Sequence, residues 1–220
     1  MQTCFKKSFV ISIIVLYFLS SICFASFIRQ TSLDFYANQY NTINVEMTID
    51  YETLTTDDIS FVIYSKIKNV EGFDENGKLD CLVNEKTYGS QIICTRIKNI
   101  QENYSINLNY EMENVIFEEK KLNKTIDTFL FEYGIIEPTD ELRILFVIPE
   151  GYGLLDANNN YPSEGNIKVI DGRRVGIEWI EENLTIGKSR FFKVQYEKIA
   201  KPVVPTNGED EDPKIYRIVL

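Results

Sequence analysis

Chemistry in this chain has to be done without histidine. None occurs among its 220 residues, so proton transfer near neutral pH falls to carboxylates, lysine, tyrosine or a cysteine thiolate. The carboxylates nearest to a recognisable arrangement are Glu178, Glu181 and Glu182, flanking the single tryptophan, Trp179. Glycoside hydrolysis uses two carboxyls roughly 5–9.5 Å apart across a cleft, and an aromatic platform would suit a sugar ring. Strand alternation opposes that use. In "GIEWI" Glu178 and Trp179 must point to opposite faces, so an inward Trp179 sends Glu178 to solvent. With 33 acidic residues in the chain, such pairs arise by composition alone, and no catalytic residue is assigned.

Metal ligation fares no better. "DANNN" places Asp156, Asn158 and Asn160 as the D-x-N-x-N opening of a calcium loop, but Tyr161 stands where glycine is required. Ile167 stands where the bidentate glutamate belongs, so the segment reads as a polar surface loop. The acidic run Glu209 to Asp212 reads as solvated. No metal and no cofactor is expected.

Cys81 and Cys94 are the two cysteines outside the extreme N-terminus. Zinc would need four ligands, and a redox pair would sit two residues apart as C-x-x-C. Their surroundings describe a hairpin instead. Leu79, Cys81 and Val83 alternate with polar residues, as do Ile92 and Cys94 beyond the turn Thr87-Tyr88-Gly89-Ser90. Opposed residues keep a constant index sum, and 81 with 94 makes it odd, so the loop has even length: Thr87-Tyr88, or Lys86 to Gly89. Opposed Cβ atoms lie roughly 4.5–5.5 Å apart, near disulfide reach. The pair is expected to be a cross-strand disulfide.

Three sequons, at Asn103, Asn123 and Asn183, match the N-glycosylation acceptor pattern. They are candidates only in an exported chain, and the N-terminus predicts export. Lys6 and Lys7 precede an apolar run from Phe9 to Phe24, and Ala25 before Ser26 offers a peptidase site. Residues 1–25 therefore read as a signal peptide; read as a retained membrane anchor, the hydrophobic helix extends to about residue 28. Either way the remainder lies outside. The formal charge is −10, and loss of Lys6 and Lys7 would make it more negative. That balance disfavours nucleic acid and anionic lipid as partners. Membrane contact is expected through the N-terminal segment alone, if it is retained, and a cell-surface or membrane protein is the expected class of partner.

Positioning elements follow from a period of two. Ile43, Val45, Met47 and Ile49 share one face of a strand, as do Tyr104, Ile106, Leu108 and Tyr110. Similar alternation recurs to Phe191–Tyr196, without a convincing helical stretch after residue 30. The fold class expected is all-β, an antiparallel β-sandwich (immunoglobulin-like or larger) over residues 29–199, preceded by one N-terminal hydrophobic helix. Residues 200–220, with three prolines and the acidic run, read as a tail. In "IKVIDGRRVGIEWI" the apolar positions Ile167, Val169, Val175, Ile177 and Trp179 are all odd. A shared face then requires an odd loop: a three-residue turn with Gly172 left-handed and Trp179 anchored in the core.

The second half carries a resemblance. Pro149-Glu150-Gly151, Asp171-Gly172-Arg173, Trp179 and Tyr196-Glu197, spread over residues 126–198, resemble archaeal exported β-sandwich ectodomains. Such ectodomains occur outside the membrane in some membrane-anchored helix-turn-helix proteins. The resemblance implies an outward-facing module without catalytic residues; the basic DNA-binding part has no counterpart here. The resulting expectation is a non-enzymatic extracellular or cell-surface module for structural or binding roles. The alternatives are a sensor ectodomain paired with a membrane protein, and a carboxylate-based glycan hydrolase.

Overall fold

The computed structural model describes residues 26–87, 89–96, 101–121, 124–156 and 160–199. The expected signal or anchor segment up to residue 25 and the acidic tail from residue 200 lie outside them. Phe27 and Ile28, the far end of the longer anchor reading, already belong to the first strand. The described residues are all-β, in two sheets.

Ten strands form the long sheet. In spatial order they are β12 (Asn166–Ile170), β13 (Arg174–Leu184), β10 (Thr139–Val147), β1 (Phe27–Ala37), β2 (Thr42–Leu54), β7 (Gln101–Glu113), β4 (Lys66–Asp74), β5 (Gly77–Lys86), β6 (Gly89–Thr95) and β3 (Asp58–Ile63). The short sheet runs β11 (Tyr152–Leu154), β14 (Ser189–Lys198), β9 (Lys124–Gly134) and β8 (Ile116–Lys121). The expectation of a wholly antiparallel arrangement is corrected at one ladder. β1 pairs with β10 in parallel, Leu33 opposite Ile144, because the chain crosses by way of the short sheet before returning beside its first strand.

One rung shows how alternation builds the inner face. Trp179, Ile144, Leu33, Met47, Leu108, Gly72 and Leu79 stand opposite one another in turn across seven strands. The six with side chains are buried. One residue along, the outward rung contains Glu178, Leu145, Asp34, Glu46, Asn109 and Glu71, polar except for Leu145. A register slip of one residue would exchange the two sets, which fixes the pairing.

Two lids cover this inner floor. The short sheet is one, held by an aromatic stack: Phe129 lies 5.2 Å from Phe35 and 4.5 Å from Phe146, and Phe192 lies 5.4 Å from Trp179. The other is the far end of the long sheet. β3 stands five strands beyond β2, about 24 Å away in a flat sheet. Yet Phe61–Tyr64 line the same cleft as Leu33, Met47 and Ile49, so the sheet curls back over its own floor.

The cysteine hairpin forms with the expected parity. Cys81 opposes Cys94 and Lys86 opposes Gly89; the sulfurs are bonded. The bridge crowds the floor strand beneath it: a Cβ on Gly72 would meet Cys81 Sγ at 2.4 Å. The second hairpin also closes as expected, with Ile170 opposite Arg174 around Asp171-Gly172-Arg173 and Gly172 at φ +66. Its outer strand departs from expectation. Ile167 and Val169 share the parity of buried Ile177 but remain 61% and 71% exposed, because β12 is the last strand of the long sheet.

Candidate functional site

Between the two lids a cleft of about 80 Å³ opens over the floor. Leu33, Met47 and Ile49 form its base, Phe61–Tyr64 one wall, and Phe131–Gly134 with Ile136 the other. Its polar groups gather at one end. Glu137, in the loop between β9 and β10, accepts hydrogen bonds from the Tyr51 and Ser26 hydroxyls. Ser26 Oγ also lies 3.2 Å from Thr55 Oγ1, and the Tyr133 hydroxyl donates to Thr31 Oγ1 at 3.4 Å. Burial raises the Glu137 carboxyl above the ordinary glutamate range, against the pull of the two donated hydrogen bonds. Burial likewise holds the Tyr51 and Tyr133 hydroxyls protonated. An apolar slot with one half-buried carboxyl of raised pKa and convergent hydroxyls has the make-up of a ligand pocket, apolar walls with a few polar groups at one end.

The acids singled out in the sequence lie elsewhere. Trp179 is a buried core residue whose Nε1 donates to the Pro162 carbonyl at 2.7 Å. Glu178 does point away from it, but the expected solvent exposure is corrected: Glu178 is only 3% exposed. Arg143 Nε donates to it at 2.8 Å, Lys168 pairs with its other oxygen, and the same arginine reaches Asp34 at 2.7 Å. Burial acts to raise the Glu178 carboxyl, yet the Lys168 and Arg143 hydrogen bonds bring it below the usual range. Glu181 is paired with Arg190 at 2.8 Å, and Glu182 is exposed. Glu178 thus belongs to a charge ladder on the outer face, whereas Glu181, on the parity of Trp179, borders a polar groove with Glu164, Ser189 and Arg190.

Asn160 is pinned rather than ligating. Its Oδ1 accepts the Gln195 amide at 2.9 Å, and Asn158 lies outside the described residues. Asn103 is exposed and its Oδ1 accepts from Arg29; Asn183 is exposed; Asn123 lies outside the described residues. Sequence reasoning missed Glu137 and Tyr51 as a pair. Tyr51 was legible as an inward strand residue following Ile49, but Glu137 sits in "IIEPT", where no periodicity assigns a direction.

No family model matches the sequence, and no curated protein matches it. Solved structures do match its fold. Yeast LTA4 hydrolase in its native form aligns with 82% of this chain at 11% identity and a TM-score of 0.52, using 30% of the hydrolase chain. The same yeast enzyme in complex with bestatin aligns with 80% of this chain at 12% identity and a TM-score of 0.53, using 29% of its own length. An M1 zinc metallopeptidase from Deinococcus radiodurans aligns at 7% identity with a TM-score of 0.49, covering 79% of this chain and 42% of its own. This chain spans about three tenths of the length of the two yeast structures.

These matches correct the functional expectation. A non-enzymatic surface module, a sensor ectodomain and a glycan hydrolase were the readings offered by sequence; the β architecture is instead one built into the chain of a different kind of hydrolase. A zinc centre does not fit the residues described here. Protein-bound zinc takes nitrogen, sulfur or oxygen from three or four side chains. This chain has no histidine, Cys81 and Cys94 are bonded to each other, and no three candidate ligands converge among the described residues.

Proposed function

We propose that this chain supplies the flanking β domain of a hydrolase, forming one wall of a substrate site whose metal-bearing part lies outside these 220 residues. One observation carries the reading: 82% of the chain takes a fold that occupies only 30% of a hydrolase chain, in a sequence with no histidine of its own. The inter-lid cleft would be its contribution. The hydroxyls of Tyr51 and Ser26 around Glu137 orient a ligand head, and Leu33, Met47 and Ile49 take its apolar part. The reading includes export, which the Cys81–Cys94 disulfide supports because such bonds persist in oxidising compartments.

The test uses the purified chain and the assembly isolated with it from native cells. The chain alone should bind no stoichiometric zinc and hydrolyse no aminoacyl anilide, while the native assembly should do both. Zinc-dependent turnover by the chain alone, or a native isolate without zinc and activity, would overturn the proposal.

A further inference from the structure

The cleft is bordered by two strand edges that lack partners among the described residues. β9 pairs with β14 from Ile126 to Gly134, but on its other side β8 reaches only to Ile116 opposite Phe129. The reason lies just upstream. Asn114, at φ +56, turns the chain out of β7, and Val115 is buried at the corner before β8 begins. β7 itself belongs to the floor. Among the described residues, the place opposite Leu130–Gly134 is therefore vacant. Across the cleft, β3 pairs only with β6 and ends the long sheet.

Open edges normally carry a device against strand addition, such as lysines, a proline or a bulge. "LFEYG" has none: a single glutamate stands among Leu130, Phe131 and Tyr133, and the register with β14 continues unbroken to Gly134. Phe131 and Tyr133 face inward over the cleft, while Glu132 is exposed.

We propose that the vacant β9 edge is a strand-addition site for an extended peptide segment of another polypeptide, laid alongside Leu130–Gly134 end to end with β8. Its backbone takes up the unpaired amides and carbonyls of β9. Alternate apolar side chains turn down onto Leu33, Met47 and Ile49, and the intervening positions turn outward, where a lysine or arginine meets Glu132. Charge favours such a partner over a second copy of this chain. The copy would bring another net −10 to an edge already carrying the exposed Glu132. The inference goes beyond the proposed domain role and stands without it, since the chain alone carries the edge.

Amide hydrogen exchange of the full chain tests it, with acetyl-Lys-Val-Lys-Val-Lys-Val-Lys-amide as the probe. Saturating peptide should slow exchange across 130–134 by tenfold or more. Glu132→Lys, at an exposed position, should weaken the half-saturation point at least tenfold while leaving the circular dichroism spectrum unchanged. Because the amides of a strand alternate between its two edges, N-methylating either the valines or the lysines should abolish protection in one case and spare it in the other. Three outcomes would overturn the proposal: no slowing at 130–134, equal binding by both methylated peptides, or protection that grows with protein concentration in the absence of peptide. The last would assign the edge to a second copy.

Discussion

The two lids sit on one floor and are held down by different means. The short sheet rests on aromatic rings: Phe129 and Phe131 stand 5.2 and 4.7 Å from Phe35, and Tyr196 stands 5.9 Å from Phe146. The curled end of the long sheet buries Ile59, Ile63 and Ile92 with a single ring, Phe61, and a disulfide binds its two central strands. Large rings supply contact area on a lid that no covalent bond secures; a narrow hairpin with few buried side chains gains from restricting its unfolded state. The lesson is that the cleft's two walls can be loosened separately.

The largest effect is expected on the aromatic side. Phe129→Ala removes a ring from the middle of the stack and should lower unfolding stability by about 3–5 kcal/mol, measured by urea titration. If the short sheet were only loosely apposed, the loss would fall near 1 kcal/mol. Removing the disulfide by Cys81→Ala with Cys94→Ala should cost about 3 kcal/mol, the loop-closure scale for a ring this short. Gly72→Ala sharpens that result, because its new Cβ meets Cys81 Sγ. It should cost about 1–3 kcal/mol in the bonded protein and clearly less in the cysteine-free background, a coupling that a double-mutant cycle reads directly.

Two glutamates extend the comparison to pH. Glu178 has its folded pKa lowered, so its contribution is present above the unfolded value near 4.5 and is lost as pH falls through the folded value. Glu137 has its folded pKa raised, so its contribution is full below the unfolded value and is lost as pH rises through the folded one. Glu178→Gln should therefore flatten the acid-side loss of stability, whereas Glu137→Gln should remove a loss on the neutral side. The smallest effect concerns Tyr51→Phe. It deletes one donor to the Glu137 carboxylate and should move the Glu137 titration midpoint further upward by carbon-detected NMR.

Local pattern carried much of this architecture. Period-two alternation marks the inner faces of β2 and β7, and parity alone gives both the even cysteine loop and the three-residue turn around Gly172. Distant arrangement did not show in the residues. Nothing in Leu33 or Ile144 announces their parallel pairing, because strand order is set by the path of the chain between them rather than by either segment. Parity also placed Glu178 on the outer face without revealing that Arg143 and Lys168 would cover it, since that needs the neighbouring strands. The exposure of Ile167 and Val169 is the converse case: their side was legible, but not that β12 would lie at the sheet's end. The cleft was hidden for the same reason. Its walls come from β3 and β9, which meet only because the long sheet curls.

Native mass spectrometry with metal analysis, on the assembly isolated through this chain, tests the central claim most directly. The account predicts this chain accompanied by a zinc-bearing polypeptide region that it does not itself encode, and a metal-free chain once the assembly is dissociated. A chain that leaves alone, or that carries the zinc on its own residues, would contradict it.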